Sequence, residues 1–394
     1  MQVPNNILER VIARRVALRV IRLKKNRPME FRFRFVNGLA HLPRNADTVL
    51  AGNPGVYTLR FYERKSGKLF GAALTADYTK IGHAVLGPEL PSSSSASVMR
   101  RVSNVSGARI ERAIGGWVSG WLAIKPEDFS DGIEEVAIDS SNGWHLPAWQ
   151  LQPKAKSTPE RWVIHVHGRG ATAAETARNF EQFEQLGFTN LSISYRNDGT
   201  ALRGGKVGRG ALGLGTSEWI DLEAAVAYAK ANGAVNIVVF GWSYGAAISL
   251  QFAKHSTLAA DVDAYIFDSP VISWRETLTL QAALSNLPVS WVSLGEAFLR
   301  NAKSAKTVGL ESPIDLDEFT VEKIAQYFDK PALLLHSNDD GYIPISPCFE
   351  LADALPDTVH LVEFHGARHC KLYNYDKPKY QASIAKFLAE INAG

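Results

Sequence analysis

From about residue 133 onward, short apolar runs alternate with helical stretches, and this rhythm limits the fold more than any other feature of the 394-residue chain. Residues 135–139 and 145–151 read as strands paired around Asn142-Gly143. Further strands follow at 161–167, 191–195, 237–240, 264–267, 332–336 and 360–364, with helices at 173–186, 218–231, 244–254, 347–354 and 377–391. Short apolar strands separated by helices predict a mostly parallel, doubly wound sheet covered on both faces. Residues 271–329 interrupt the rhythm. Trp274, Leu278, Leu284, Trp291 and Phe298 give them an apolar, helical character. An insertion that roofs a pocket and a plain packing subdomain both fit that pattern.

Reactive groups in such sheets collect beyond the carboxyl ends of the strands. Gly241-Trp-Ser-Tyr-Gly245 directly follows the strand 237–240 and directly precedes an apolar helix. A serine at such a strand-to-helix turn is exposed on a strained elbow, and glycines on either side keep the turn free of side chains. A lone hydroxyl is a weak nucleophile and needs a base, itself oriented by an acid. His369, in Gly366-Ala-Arg-His-Cys370, follows the last strand, and Asp339 and Asp340 end the strand before it. His336, His360 and His365 lie in or beside strands and are expected to be structural. His167-Gly-Arg-Gly170 ends the first strand of the series. A small-residue turn there lets the N–H of Arg169 join that of Tyr244 in holding an oxyanion.

These four parts, in this order, resemble the α/β-hydrolase superfamily over residues 133–394. His-Gly-Arg-Gly, Gly-Trp-Ser-Tyr-Gly and His-Ser-Asn-Asp-Asp-Gly-Tyr-Ile-Pro are most similar to bacterial prolyl-oligopeptidase-like and esterase-like hydrolases. The resemblance implies an α/β-hydrolase fold at residues 126–394, with 271–329 at the position of the cap. It also implies two-step acyl transfer: Ser243 as nucleophile, His369 as base, Asp340 as orienting acid, and the amides of Arg169 and Tyr244 as oxyanion hole. Aligning His336 and Ile343-Pro344 with the family pattern favours Asp340 over its neighbour Asp339, although Ser337 stands where the family commonly has glycine. No cofactor and no metal are expected. The substrate class implied is a small-molecule carboxylic ester or thioester. A peptidase of the prolyl-oligopeptidase kind, an acyltransferase, and a non-catalytic scaffold on the same fold stay open. About 130 preceding residues without a blade repeat are too few for the peptidases' β-propeller.

The charge is unevenly spread. Residues 1–68 hold 15 Lys and Arg against 4 Asp and Glu, and the remaining 326 residues hold 28 against 36. Residues 1–125 are therefore expected to form a basic, β-rich N-terminal module. Within it, 6–27 read as a helix with Ile12, Val16, Val20 and Leu23 on one face. Phe31-Arg-Phe-Arg-Phe35 reads as a strand, and 58–62 with 68–74 as a hairpin. Two roles fit the arginines of residues 1–35: a structural interface with the acidic body or another subunit, placed ahead, and docking on an anionic membrane surface. No nucleic-acid motif accompanies the charge, so nucleic acid is not expected. Two cysteines in so long a chain, no apolar span of membrane length and no apolar leader point to the cytoplasm, with a peripheral membrane contact as an option. Oligomeric state is left open.

Three further patterns are discounted. Gly208-Arg-Gly-Ala-Leu-Gly213 fits a dinucleotide fingerprint but does not directly follow a strand. The seven glycines of 199–215 read instead as a mobile loop on the active-site side. His165-x-His167 lacks a nearby acidic ligand, so strand spacing explains it better than a metal.

Overall fold

The structure, a computed structural model, describes residues 6–23, 31–44, 52–64, 76–122, 125–154 and 160–393. Among these, two sheets form. The second strand expected for the N-terminal hairpin, 68–74, lies outside the described residues.

The first sheet is antiparallel, ordered β1 (Arg34–Val36), β2 (Leu39–Pro43), β5 (Ser97–Ser106), β4 (Ala76–Glu89), β3 (Tyr57–Arg64) and β6 (Ala113–Ser119). Phe33, Leu42, Leu59, Phe61, Leu86 and Val98 form its core. Of the strand expected over 31–35, Phe31 makes an isolated bridge to Gly116, and regular pairing begins at Arg34.

The second sheet carries the alternation. Its parallel part runs β10 (Phe188–Ile193), β9 (Arg161–Val166), β13 (Asn236–Trp242), β14 (Ala264–Asp268), β15 (Ala332–Ser337) and β16 (Val359–Phe364). Antiparallel to it, β8 (Trp144–Leu151) pairs with β10 and with β7 (Ile133–Ser140). Asn142 and Gly143 both have positive φ in the β7–β8 turn, as a tight hairpin needs. One apolar cluster covers one face, including Trp162, Ile164, Val239 and Phe252. A second covers the other, including Phe183, Phe240, Leu335 and Phe387. The helix expected over 173–186 is broken: Ala173–Thr176 and Phe180–Gln185 are α-helical around a 3-10 turn at Ala177–Asn179.

Two expectations are corrected. Segment 199–215 lies on the active-site side, beyond the carboxyl end of β10, but it is not a plain loop. It carries the short hairpin β11 (Leu202–Arg203) and β12 (Lys206–Val207), added to the β8 edge. Its Ala211, Leu212 and Leu214 are buried. The second correction concerns the helix Ile7–Ile21, which does not join the N-terminal sheet. Asn6 caps it by accepting from the N–H of Glu9 at 2.8 Å. It packs along the helix Ser290–Arg300 of the insertion. Ala13 and Ala17 are buried, and Gly295 lets the backbones approach so closely that a Cβ there would lie 2.5 Å from Cγ1 of Val16. Small residues, not arginine–carboxylate pairs, make this interface. Arg22 extends it by donating to the carbonyls of Arg209 and Val308.

The N-terminal sheet meets the hydrolase body behind the His369 loop. Asn374 Nδ2 donates to the carbonyls of Val56 (2.9 Å) and Gly120 (3.0 Å), and Val56 N donates to Asn374 O (3.0 Å). Gly55, at φ +94°, makes this possible, since a Cβ would lie 1.8 Å from Asn374 O. Among the described residues no helix is long and apolar enough to cross a membrane.

Candidate active site

Ser243 sits between β13 and the helix Tyr244–His255, at φ 50° and ψ −108°. For a residue with a side chain that is a strained conformation, held here because the flanking glycines allow it. A Cβ on Gly241 would come within 2.7 Å of Ala246 N, and one on Gly245 within 2.0 Å of Val166 O. Ser243 N donates to Asp268 O, and Ser243 O accepts from Ala246 N and Val271 N, which fixes the turn. The hydroxyl thus stands at the N-terminus of a twelve-residue helix, whose dipole favours negative charge.

His369 and Asp340 reach it from the two neighbouring strand ends. Ser243 Oγ donates to His369 Nε2 at 3.0 Å, and His369 Nδ1 donates to Asp340 Oδ2 at 2.8 Å. The other carboxylate oxygen of Asp340 accepts from the N–H groups of Tyr342 (2.9 Å) and Ile343 (2.7 Å). His336, a buried strand residue, places Nε2 3.4 Å from Asp340 Oδ2. Burial alone would favour the neutral acid, yet His369 and His336 hold the Asp340 carboxyl far below the usual carboxylate range. In return Asp340 raises the His369 imidazole above its ordinary value, although burial works to lower it. Asp339 serves a different purpose. Its Oδ2 accepts from Gly366 N at 2.6 Å and its carbonyl accepts from Arg368, so it ties down the loop that carries His369. Asp339 does not touch the imidazole.

The turn after β9 faces Ser243. Gly168 N is occupied, donating to Glu175 Oε2 at 3.2 Å, and Gly168 O accepts from Tyr195 Oη and from His167 Nδ1. The N–H groups of Arg169 and Tyr244 donate to nothing among the described residues. His167 is held from behind by Asp198, 3.2 Å away, and stacks on Tyr195. His165 bonds Asn190 inside an aromatic cage, where burial pushes its pKa down to about 3. Among the described residues no cluster of His, Cys, Asp and Glu has the form of a metal site.

A cavity of about 560 Å³ opens above Ser243 and His369. The insertion contributes Leu278, Ala282, Leu287, Trp291 and Val292 to its walls. Tyr342 stacks near His369, with ring centroids 5.1 Å apart. Cys370 also lines it, with Sγ 3.6 Å from His369 Nε2, and burial pushes its thiol well up.

Several lining residues escape sequence reasoning. Glu175 and Lys371 belong to no motif. The N-terminal helix supplies Val16, Arg19 and Val20, and Leu23 follows just beyond its end. Val16, Val20 and Leu23 are three of the four apolar residues that the sequence reading offers to a membrane, and here they face the cavity. Arg169 fastens that helix: its Nη2 donates to the carbonyls of Arg22 (2.6 Å) and Arg19 (3.2 Å) at the helix C-terminus.

Comparison with known proteins agrees with this architecture. A Bacillus subtilis protein, the uncharacterized protein YqkD, is 27% identical over 264 residues, covering 65% of this chain and 79% of its own. The esterase Pf2001 of Pyrococcus furiosus superposes with a TM-score of 0.51 at 20% identity, over 68% of this chain and 96% of that one, a likeness of fold. The model of the alpha/beta hydrolase family matches residues 163–382, from β9 through the elbow to the last helix. That span is more than half of the sequence, and the chain belongs to the alpha/beta hydrolase family.

Proposed function

We propose that the chain is a serine esterase that cleaves carboxylic esters, with thioesters as a chemically related class, through an acyl-enzyme on Ser243. The observation that carries this reading is the hydrogen-bonded series from Ser243 Oγ to His369 to Asp340, at 3.0 and 2.8 Å, beneath a cavity lined in part by apolar side chains of the insertion. Ser243 Oγ attacks the ester carbonyl while its proton passes to His369 Nε2. Asp340 fixes the imidazole tautomer and stabilises the cation that forms. The carbonyl oxygen, now negative, accepts from the N–H groups of Arg169 and Tyr244, at the positive end of the helix. The carbonyl re-forms, the C–O bond to the alcohol breaks, and His369 returns the proton to the leaving alkoxide. Water then repeats the sequence on the acyl-enzyme and releases the acid.

The test combines a fluorophosphonate probe with two substrate panels, p-nitrophenyl esters of graded length and aminoacyl-nitroanilides. Labelling of the wild type, its loss in Ser243→Ala, and preference for esters are expected. Folded wild type that takes no label, or Ser243→Ala that retains hydrolysis, rejects the reading. Faster turnover of nitroanilides moves it to a peptidase.

A further inference from the structure

We infer that the ester taken up by this cavity carries a permanent negative charge, recognised by Arg19 and Lys371; the inference rests on the esterase reading above. Residues 16, 19 and 20 lie on one face of the helix Ile7–Ile21, spaced i, i+3 and i+4, and Leu23, just past its end, joins them in lining the cavity. Three of them are apolar, as a helix face against a hydrocarbon chain should be. Arg19 is the exception, set in the middle of the stripe.

Arg19 is exposed to solvent, so its donors are available to an anion that enters the cavity. Among the described residues, no carboxylate or carbonyl meets the Arg19 guanidinium. The other charged groups of the lining are already engaged to different degrees. Arg169 is spent on the carbonyls of Arg19 and Arg22. Glu175 accepts from Gly168 N and from Trp121 Nε1. Burial opposes its charge, but Arg178 foremost, then Lys371, hold its carboxyl below the usual range. Lys371 Nζ donates to the carbonyls of His369 (3.2 Å) and Cys370 (3.4 Å), which leaves one of its three protons free. The cavity therefore has walls that mix apolar and polar side chains, an anion-stabilising floor at Ser243, and two cations with unused donors. A neutral alkyl ester offers nothing to the Arg19 guanidinium or to the third proton of Lys371. An ester with a carboxylate or a comparable anion satisfies them.

The probes are four esters in two matched pairs. Mono-p-nitrophenyl adipate against p-nitrophenyl hexanoate places the charge on the acyl side. The hexanoate ester of 4-hydroxybenzoic acid against that of its methyl ester places it on the leaving group. The readout is the ratio of kcat/KM for the anionic over the neutral member of each pair. We expect one pair to favour the anion, with a ratio that falls as salt rises. In that pair Arg19→Ala lowers the ratio roughly tenfold, the scale of one charge-assisted hydrogen bond. Arg19→Glu lowers it further and Arg19→Lys largely keeps it. Lys371→Met lowers it in the same direction. Preference for the neutral member in both pairs, or a ratio that Arg19→Ala and Arg19→Glu leave unmoved, overturns the inference. Neutral esters turned over in a Ser243-dependent way, without anion preference, would leave the esterase reading standing while this one falls.

Discussion

Replacing Asp340 by Asn, beside the same change at Asp339, separates orientation from local structure. In Asp340→Asn, the side-chain oxygen can still accept from Tyr342 N and Ile343 N, which the carboxylate meets at 2.9 and 2.7 Å. The fold should survive. The second atom, however, becomes an NH2 group pointing at His369 Nδ1, now 2.8 Å from a carboxylate oxygen. A donor there forces Nδ1 to accept and puts the proton on Nε2. The imidazole then cannot take the Ser243 proton. In serine proteases this wrong tautomer costs about 10⁴ in kcat, or roughly 5.5 kcal/mol of barrier. Asp339→Asn keeps an oxygen for Gly366 N and should cost less than about tenfold. The assay is kcat/KM on a p-nitrophenyl ester across pH, with thermal unfolding as the check on folding. The sign of the pH effect is fixed by the charges. Only neutral His369 acts as base, and Asp340 raises its pKa while burial lowers it. Losing the carboxylate therefore moves the acidic limb of residual activity to lower pH. A more severe Asp339→Asn, or an acidic limb that moves upward in Asp340→Asn, would refute the assignment.

Two further outcomes are expected elsewhere in the molecule. Gly295→Ala should destabilise the protein by about 1–3 kcal/mol through the clash with Val16, and Val16→Ala should recover part of that loss in the double variant; purely additive effects in thermal unfolding would argue against the close contact. On the outer side of the same helix Ile7, Leu8 and Val11 are 82%, 67% and 44% exposed, beside exposed Arg10, Arg14 and Arg15. We expect weak, salt-sensitive co-sedimentation with anionic vesicles, at about 1 kcal/mol per basic residue, lost on changing the three arginines to Gln; no pelleting at low salt ends the idea of a membrane contact.

The hydrolase fold was legible because its signals are local. Runs such as Ile237-Val-Val-Phe240 state a strand, and Gly-Trp-Ser-Tyr-Gly directly after states the turn, all within nine residues. Asp340 and His369 could be nominated because parallel strands end on one side of the sheet, so chain order alone brings their loops near Ser243. The glycines of 199–215 misled because glycine content reports permitted backbone angles, not burial. Gly208 and Gly210 are packed against Trp144 and Asn197. The helix 7–21 misled for a different reason. Its stripe is amphipathic, but an apolar face does not name its partner, and that partner lies more than 260 residues away in sequence at Ser290–Arg300. Glu175 and Lys371 carry no local signature, since their place in the lining follows from tertiary packing alone.

That distance in sequence has a consequence for how the chain is made. The helix that lines the cavity is made well before its covering residues, Val292, Gly295 and the carbonyl of Val308 among them, which emerge from the ribosome nearly three hundred residues later. At roughly 5–20 residues per second the delay is on the order of tens of seconds. During that time Val16 lacks the helix it packs against, while the contacts of Ile21 with Leu212 and of Arg22 with Arg209 can already form. The pocket therefore gains its full shape only when segments made long before the catalytic elbow and long after it, Val16 and His369 among them, have come together.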